Sequence, residues 1–200
     1  MKVKEIFHSI QGEGFHAGTP AVFVRLAGCN LWSGKEKHRQ KAICQFCDTD
    51  FLGGEDMSQE EIIALASAYS EGVGTILVFT GGEPLLQLTE EILVLASRKF
   101  HKVCIETNGT IDLPIAHKQW LWVTVSPKYG SKLVLVRGNE LKVVWPQPFN
   151  LDQLSAMDYR HLYLQPMDGK EGSQELTINE CLKRPEWKLS VQAHKYLGIR

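Results

Sequence analysis

The chain has 200 residues, enough for one domain with a full hydrophobic core. Hydrophobic residues make up 44% and charged residues 22%, an ordinary globular mix that excludes wholesale disorder. Lys plus Arg number 22 against 23 for Asp plus Glu, a net charge of −1 that argues against a protein built around nucleic-acid phosphates. No apolar run nears the ~20 residues that span a bilayer. The opening residues, interrupted by Glu5, His8, Gln11 and Glu13, lack the apolar segment of a secretion signal. The expectation is a cytoplasmic protein with no membrane or nucleic-acid partner.

In chain order, the first predicted strand covers residues 21–26. Ser58 and Glu61 then pattern a capping box, opening a helix whose apolar face is Ile62, Ile63, Leu65, Ala66 and Tyr69. A strand at 75–80 and a helix at 89–99 follow, the helix turning Ile92, Leu93, Leu95 and Ala96 inward. Strands are predicted at 102–107, 121–126 and 141–145, a short helix at 152–157, a strand at 161–165, a helix at 177–183 and a last strand at 188–192. The strands are rich in Val, Ile, Leu and Phe and alternate only weakly, which suits burial on both faces. Strands interleaved with helices indicate an α/β protein with a mostly parallel sheet. About four helices for seven or eight strands are too few for an eightfold barrel, so the expected architecture is a partial, open TIM-like barrel. Four strands end in polar clusters: Thr80 to Pro84, Glu106 to Gly109, Ser126 to Lys128 and Gln165 to Asp168. Sites in parallel α/β folds collect beyond the carboxyl ends of strands, so one shared cleft is expected there.

Five cysteines occur, at 29, 44, 47, 104 and 181. Cys104, in a strand-like run, and Cys181, in a helical one, read as small buried apolar side chains. The other three form Cys-x14-Cys-x2-Cys. Three thiolates can hold three irons of a [4Fe–4S] cluster and leave the fourth open, as cluster chemistry on a substrate requires. Structural zinc, with His38 as fourth ligand, explains the cysteines equally well.

Thr80-Gly81-Gly82-Glu83-Pro84 ends a buried strand. Two glycines let backbone approach a ligand, and the Glu can accept from an amine. With the cysteines upstream, this stretch resembles the radical S-adenosylmethionine (SAM) enzymes. The fourteen-residue gap narrows the resemblance, together with His8-Ser9-Ile10-Gln11-Gly12-Glu13-Gly14, Phe23 through Trp32, Cys47-Asp48-Thr49 and Val191 through Gly198. The chain is similar throughout to one branch of the 7-carboxy-7-deazaguanine synthases, a radical SAM family.

The resemblance implies a single radical SAM domain over 1–200 with an extended cluster loop at 29–47. It implies conversion of 6-carboxy-5,6,7,8-tetrahydropterin to 7-carboxy-7-deazaguanine by radical ring contraction with loss of ammonia, on the way to queuosine. Cys29, Cys44 and Cys47 would bind the [4Fe–4S] cluster and Thr49 a Mg²⁺ ion. SAM would contact Phe46, Cys47, Asp48, Gly82, Glu83, Ser126, Pro127, Lys128, Gln165, Pro166, Met167 and Asp168. Substrate would contact Ile10, Gln11, Gly12, Glu13, Arg25, Thr80, His194 and Arg200. In this assignment Arg25 grips the substrate carboxylate and the carboxylate of Arg200 pairs with pterin N–H groups. A homodimer is implied as well.

The loop between the cysteines carries Lys35, Lys37, His38, Arg39 and Lys41, which reads either as a solvated charge run or as a dock for an acidic, flavodoxin-like electron donor. Two other functions remain as alternatives. A glycyl-radical-enzyme activase shares Glu-Thr-Asn-Gly but does not call for the Gln-Gly-Glu-Gly start, and a zinc-stabilised binding module would need no cofactor.

Overall fold

The computed structural model describes residues 1–70 and 74–200. Its strands are β1 (Lys2–Ile10), β2 (Pro20–Leu26), β3 (Glu55–Asp56), β4 (Ile76–Gly81), β5 (Val103–Thr107), β6 (Leu121–Val125), β7 (Arg137–Trp145), β8 (Asp158–Pro166) and β9 (Trp187–Leu189). They form one nine-stranded sheet in the order β3-β1-β2-β4-β5-β6-β7-β8-β9. From β2 outward through β9 all neighbours are parallel, while β1 is antiparallel to β2 and to β3. The order has two ends, so the sheet is the open, partial barrel that the sequence predicts. The helices are α1 (Gln59–Ala68), α2 (Glu90–Ser97), α3 (Leu151–Ser155), α4 (Ser173–Lys183) and α5 (Ala193–Leu197), with 3₁₀ turns at Glu36–Lys41 and Pro84–Leu86.

Ser58 and Glu61 make the reciprocal capping box that starts α1: the Glu61 N–H donates to Ser58 Oγ at 3.1 Å and the Ser58 N–H to Glu61 Oε2 at 2.7 Å. Ile62, Ile63 and Ala66 of α1 and Ile92, Leu93 and Ala96 of α2 are buried against the sheet. Leu65 and Tyr69, expected to face inward, are 41% and 42% exposed.

Because side chains alternate along a strand, the two sheet faces carry different residues. The helix-covered face is apolar, with Val22, Val24, Leu77, Phe79, Val103, Ile105, Val123, Leu141 and Val143 in the main core. The opposite face changes character along the strands. Near their amino ends Phe23, Val78, Cys104 and Trp122 lie in register as one apolar layer. Phe15 from the β1–β2 connection stacks on Trp122, with centroids 4.7 Å apart, and packs on His161 at 4.4 Å. Two residues further along the same strands stand Arg25, Thr80, Glu106 and Thr124, followed on β7 and β8 by Lys142, Val144 and Gln165. The uncovered face is thus apolar below and polar above.

Several boundaries depart from the sequence expectation. β1 was not predicted: Lys2, Lys4, Glu5 and His8 dilute its apolar residues at the margin of the sheet. β7 and β8 start earlier, at Arg137 and Asp158, in polar stretches that pair with each other. β9 stops at Leu189, short of the predicted 188–192, and the helix α5 follows it.

Candidate active site

A cavity of about 520 Å³ opens over the polar half of the uncovered face. Its walls come from the carboxyl ends of β2, β4, β5, β6, β7 and β8, the segment after β1, the cysteine loop and α5. The cavity gathers Ile10, Gln11, Gly12, Glu13, Arg25, Cys29, Cys44, Phe46, Cys47, Asp48, Thr49, Thr80, Gly82, Ser126, Lys128, Gln165, Pro166, Asp168, His194 and Arg200. Of the sequence-derived positions, Glu83, Pro127 and Met167 are outside its lining.

Cys29 follows β2, and Cys44 and Cys47 follow the 3₁₀ turn of their loop. The turn buries no residue of its own. The loop is fastened by Arg39, which lies over the Trp32 ring at 4.1 Å and donates to Gln45 O at 2.9 Å and Cys47 O at 3.0 Å. Trp32 is buried edge-on against Phe51. A hydrogen bond from Cys44 pulls the Cys47 thiol down to about 6 against the effect of burial, helped by the N–H and hydroxyl of Thr49. The same hydrogen bond, with burial, pushes the Cys44 thiol up. Burial also raises Cys29, whose sulfur accepts from the Leu31 N–H at 3.4 Å.

This donor set does not suit a single zinc ion. Among the described residues no three His, Cys, Asp or Glu side chains converge on one metal position. His38, the candidate fourth ligand, is exposed, hydrogen-bonded with Ser33 Oγ at 2.7 Å and absent from the cavity wall. Cys29, Cys44 and Cys47 line one cavity, and among the described residues no fourth ligand is grouped with them, which fits a cluster whose thiolates bind different irons and leave one iron open.

The glycine pair lies against the cysteine loop. A Cβ on Gly82 would stand 2.0 Å from Gly28 O and 2.9 Å from Cys29 Cβ, so only glycine admits the first cysteine this close to β4. Glu83 is fully buried and turned into the protein. Its carboxylate accepts from the Leu85 N–H at 2.9 Å, the Thr107 hydroxyl at 2.7 Å and the Asn108 N–H at 2.7 Å. Those bonds join the ends of β4 and β5 and turn the carboxylate inward, off the cavity lining. Burial pushes its carboxyl above the usual range despite these donors.

The remaining polar groups form two sets. On the floor, Lys142 pairs with Glu13 and stands 3.9 Å from Glu106, which accepts from Gln11 Nε2 at 3.0 Å and Thr80 Oγ1 at 3.1 Å. At the rim, Lys195 bridges Asp48 and Asp168, the latter at 2.6 Å. The Lys128 ammonium donates to Ser126 O at 2.6 Å and Oγ at 2.9 Å. Arg25 Nε pairs with Glu5 at 2.8 Å, so its guanidinium is partly committed within the protein. Arg200 pairs with the other oxygen of Glu5, lies over Phe7 at 4.6 Å and accepts from Ser9 Oγ through its main-chain oxygen at 2.7 Å.

Residues 40–138 match the radical SAM superfamily. A 7-carboxy-7-deazaguanine synthase of Bradyrhizobium diazoefficiens is 46% identical over 99% of this chain and 98% of its own. One of Caulobacter vibrioides is 44% identical over 98% of each chain. The chain belongs to the 7-carboxy-7-deazaguanine synthase family. The crystal structure of QueE from Escherichia coli superposes with a TM-score of 0.73 at 27% identity, covering 96% of this chain and 94% of that one. Membership in this synthase family implies a [4Fe–4S] cluster and SAM, which decides between cluster and zinc. It sets aside the glycyl-radical-enzyme activase and the zinc-stabilised binding module.

Among the cavity residues that sequence reasoning does not assign to the synthase site are Lys142, Glu106, Gln192 and Lys195. Glu106 reads from the sequence only as part of a strand-end cluster. Lys142 had a readable signal, a lone cation two residues after Glu140 in the apolar run Leu141 to Trp145. Both therefore share one face of a buried strand.

Proposed function

We propose that this cavity is where 6-carboxy-5,6,7,8-tetrahydropterin becomes 7-carboxy-7-deazaguanine, with loss of ammonia, in queuosine biosynthesis, and that residues 1–200 act as one radical SAM domain with its cluster loop at 29–47. The observation that carries the reading is the lining of one cavity: it holds the three cysteines together with the carboxylates and amides of Glu13, Glu106, Gln11 and Gln165. Cys29, Cys44 and Cys47 would hold the [4Fe–4S] cluster, which when bound supplies the electron that cleaves SAM to a 5′-deoxyadenosyl radical.

The chain's own residues orient and exclude. Phe46, Asp48, Gly82, Ser126, Lys128, Gln165, Pro166 and Asp168 line the part of the cavity assigned to SAM, with Pro127 and Met167 adjoining it in sequence. The floor offers acceptors to a nitrogen-rich ring through Glu13, Glu106 and Gln11, while the edge of Arg25 that Glu5 does not use is available to a substrate carboxylate. Thr49 lines the cavity two residues after Cys47, and its hydroxyl is a hard donor suited to Mg²⁺ shared with the substrate carboxylate. The aromatic layer beneath closes the lower end of the cavity to water. An acidic, flavodoxin-like donor would dock on Lys35, Lys37 and Lys41, which are exposed beside the cysteines. The family resemblance adds a homodimer.

The test is anaerobic reconstitution followed by incubation with SAM, Mg²⁺, dithionite and the carboxytetrahydropterin. The expected product is 7-carboxy-7-deazaguanine, identified by mass spectrometry. Competent SAM cleavage without that product would remove the assignment.

A further inference from the structure

The cavity floor carries one ammonium among three carboxylates. Lys142, halfway along β7, is 5% exposed. Its ammonium touches Glu13 Oε2 and stands 3.9 Å from Glu106 Oε1, and Glu140 is two residues away on the same face of the strand. Neutral donors complete the set: Gln192 Nε2 donates to Glu13 Oε1 at 2.9 Å, Thr80 Oγ1 to Glu106 Oε2 at 3.1 Å, and Gln11 Nε2 at 3.0 Å to the Glu106 Oε1 that faces Lys142. Lys142 is therefore the cation that Glu13 and Glu106 share. The other charged or titratable groups acting here are Lys128 toward Lys142, His194 toward Glu13, and Tyr163, which pairs with Lys142 in register on β8.

A packed sheet does not require this lysine. The helix-covered face of β7 supplies the core contacts through Leu141 and Val143, and an unbranched apolar side chain would fill the same course on the other face. A buried ammonium is costly unless its partners need it. The partners here are two carboxylates in a half-closed cavity, which cannot both stay charged at close range without a cation between them.

We propose that Lys142 is a positioning residue of the substrate site: it holds Glu13 and Glu106 together as charged acceptors for the N–H-bearing edge of the pterin. The inference rests on the pterin reading given above. Burial pushes the Glu13 carboxyl up, yet the Lys142 ammonium outweighs it and holds Glu13 down to about 2. Burial pushes Lys142 down, and the three surrounding carboxylates outweigh it and push Lys142 up in turn.

Binding without turnover tests this. Holoenzyme with its cluster left oxidised is titrated with 6-carboxy-5,6,7,8-tetrahydropterin by calorimetry from pH 5.5 to 8.5, using the parent protein, Lys142→Met and Lys142→Arg. The ratio of variant to parent dissociation constants cancels any titration of the ligand itself. For Lys142→Met the ratio should climb as pH falls, approaching about tenfold per pH unit once a released carboxyl takes up its proton. For Lys142→Arg the ratio should stay flat, and SAM binding should match the parent in both variants. A ratio for Lys142→Met that does not vary with pH overturns the proposal, whatever its size, because a merely structural lysine would shift binding equally at every pH. If Lys142→Met does not fold, Glu106→Gln/Lys142→Met relieves the repulsion, keeps Glu13 titratable and gives the same readout. Failure of the parent to bind the pterin while still binding SAM would instead defeat the functional reading, and the two failures are distinct.

Discussion

Gly82→Ala adds one carbon between β4 and the first cysteine. The Gly82 backbone is outside the left-handed region, so the cost of alanine there is one of space alone. The new Cβ meets Gly28 O at 2.0 Å and Cys29 Cβ at 2.9 Å, where ordinary contact begins at 3.4 Å. Neither neighbour is a side-chain tip that can swing away. The two segments are also tied by the Gly82 N–H to Leu26 O at 3.2 Å and the Glu83 N–H to Gly28 O at 2.9 Å. Overpacking against backbone costs ~1–3 kcal/mol, and a lost hydrogen bond adds ~1 kcal/mol. For a domain of this size that lowers Tm by on the order of 5–15 °C. Relief of the clash must move Gly28 and Cys29, and a displacement on the order of 1 Å at a reacting centre costs ~100-fold in rate. Differential scanning calorimetry of the apoprotein, iron and sulfide analysis after reconstitution, and SAM-cleavage rates measure the three effects separately. A Gly82→Ala protein that keeps parental Tm, full iron and parental SAM cleavage would show that the close approach does not position Cys29.

Glu83→Gln replaces a carboxylate accepting three hydrogen bonds with an amide that cannot accept all three, and should cost ~1–3 kcal/mol of stability. Its SAM dissociation constant should move less than about twofold; unchanged stability with lost SAM affinity would put Glu83 on the cofactor after all. Lys195→Met should leave stability within ~1 kcal/mol, because its ion pairs with Asp48 and Asp168 are partly exposed. The cysteine loop and the loop after β8 would no longer be tied, so SAM should bind several-fold more weakly and with less dependence on salt; equal affinity and equal salt dependence would show that the bridge does not shape the site. His16 is held down to about 4 by burial and then by the positive charge of Lys102, His101 and His161, and its Nε2 has no hydrogen-bond partner among the described residues. A histidine pKa lowered in the folded state costs stability as pH falls from its ordinary 6.5 toward 4, because the unfolded chain takes up the proton first. His16→Gln should flatten that decline in a pH series of melting curves, and an unchanged slope would exclude His16 as its source.

The parts of the fold that could be read from sequence are those where one local signal agrees with the final environment. The strands covered by helices, such as Ile76–Gly81 and Val103–Thr107, are continuous apolar runs and were placed within a residue or two. The α1 capping box is local chemistry between residues three apart, so it could be read directly. β1 lacked such a signal because it lies toward the margin of the sheet and its burial is mixed. The cysteines could be read from spacing, and the glycine pair gained meaning only beside them. What spacing cannot convey is the direction of a side chain. Glu83 follows the glycines in a motif that suggested a ligand contact, yet it turns inward to tie β4 to β5. Arg25 looked free to grip a carboxylate and is half engaged by Glu5, a residue of the strand that was not predicted.

The open sheet accounts for both the location of the cavity and its composition. A closed barrel fills its interior with layers of side chains from its own strands. Here, among the described residues, no ladder joins the two ends of the sheet, and segments near the two ends of the chain pack across the gap. Glu13 reaches Lys142 on β7, Phe15 reaches His161 on β8, and the Gly14 N–H donates to Ser190 Oγ at 3.0 Å. From the other terminus, the Ala193 N–H donates to Gly12 O at 3.0 Å, and a Cβ on Gly12 would come within 2.5 Å of His194 Nδ1. The lower half of this seam is aromatic and continues the core. The upper half consists of paired ions and amides, which leave room for ligands with their own donors and acceptors. The same argument explains why the polar wall escaped sequence reading: its members lie up to 195 residues apart, as in the pairing of Arg200 with Glu5, and only the closure of the arc makes them neighbours.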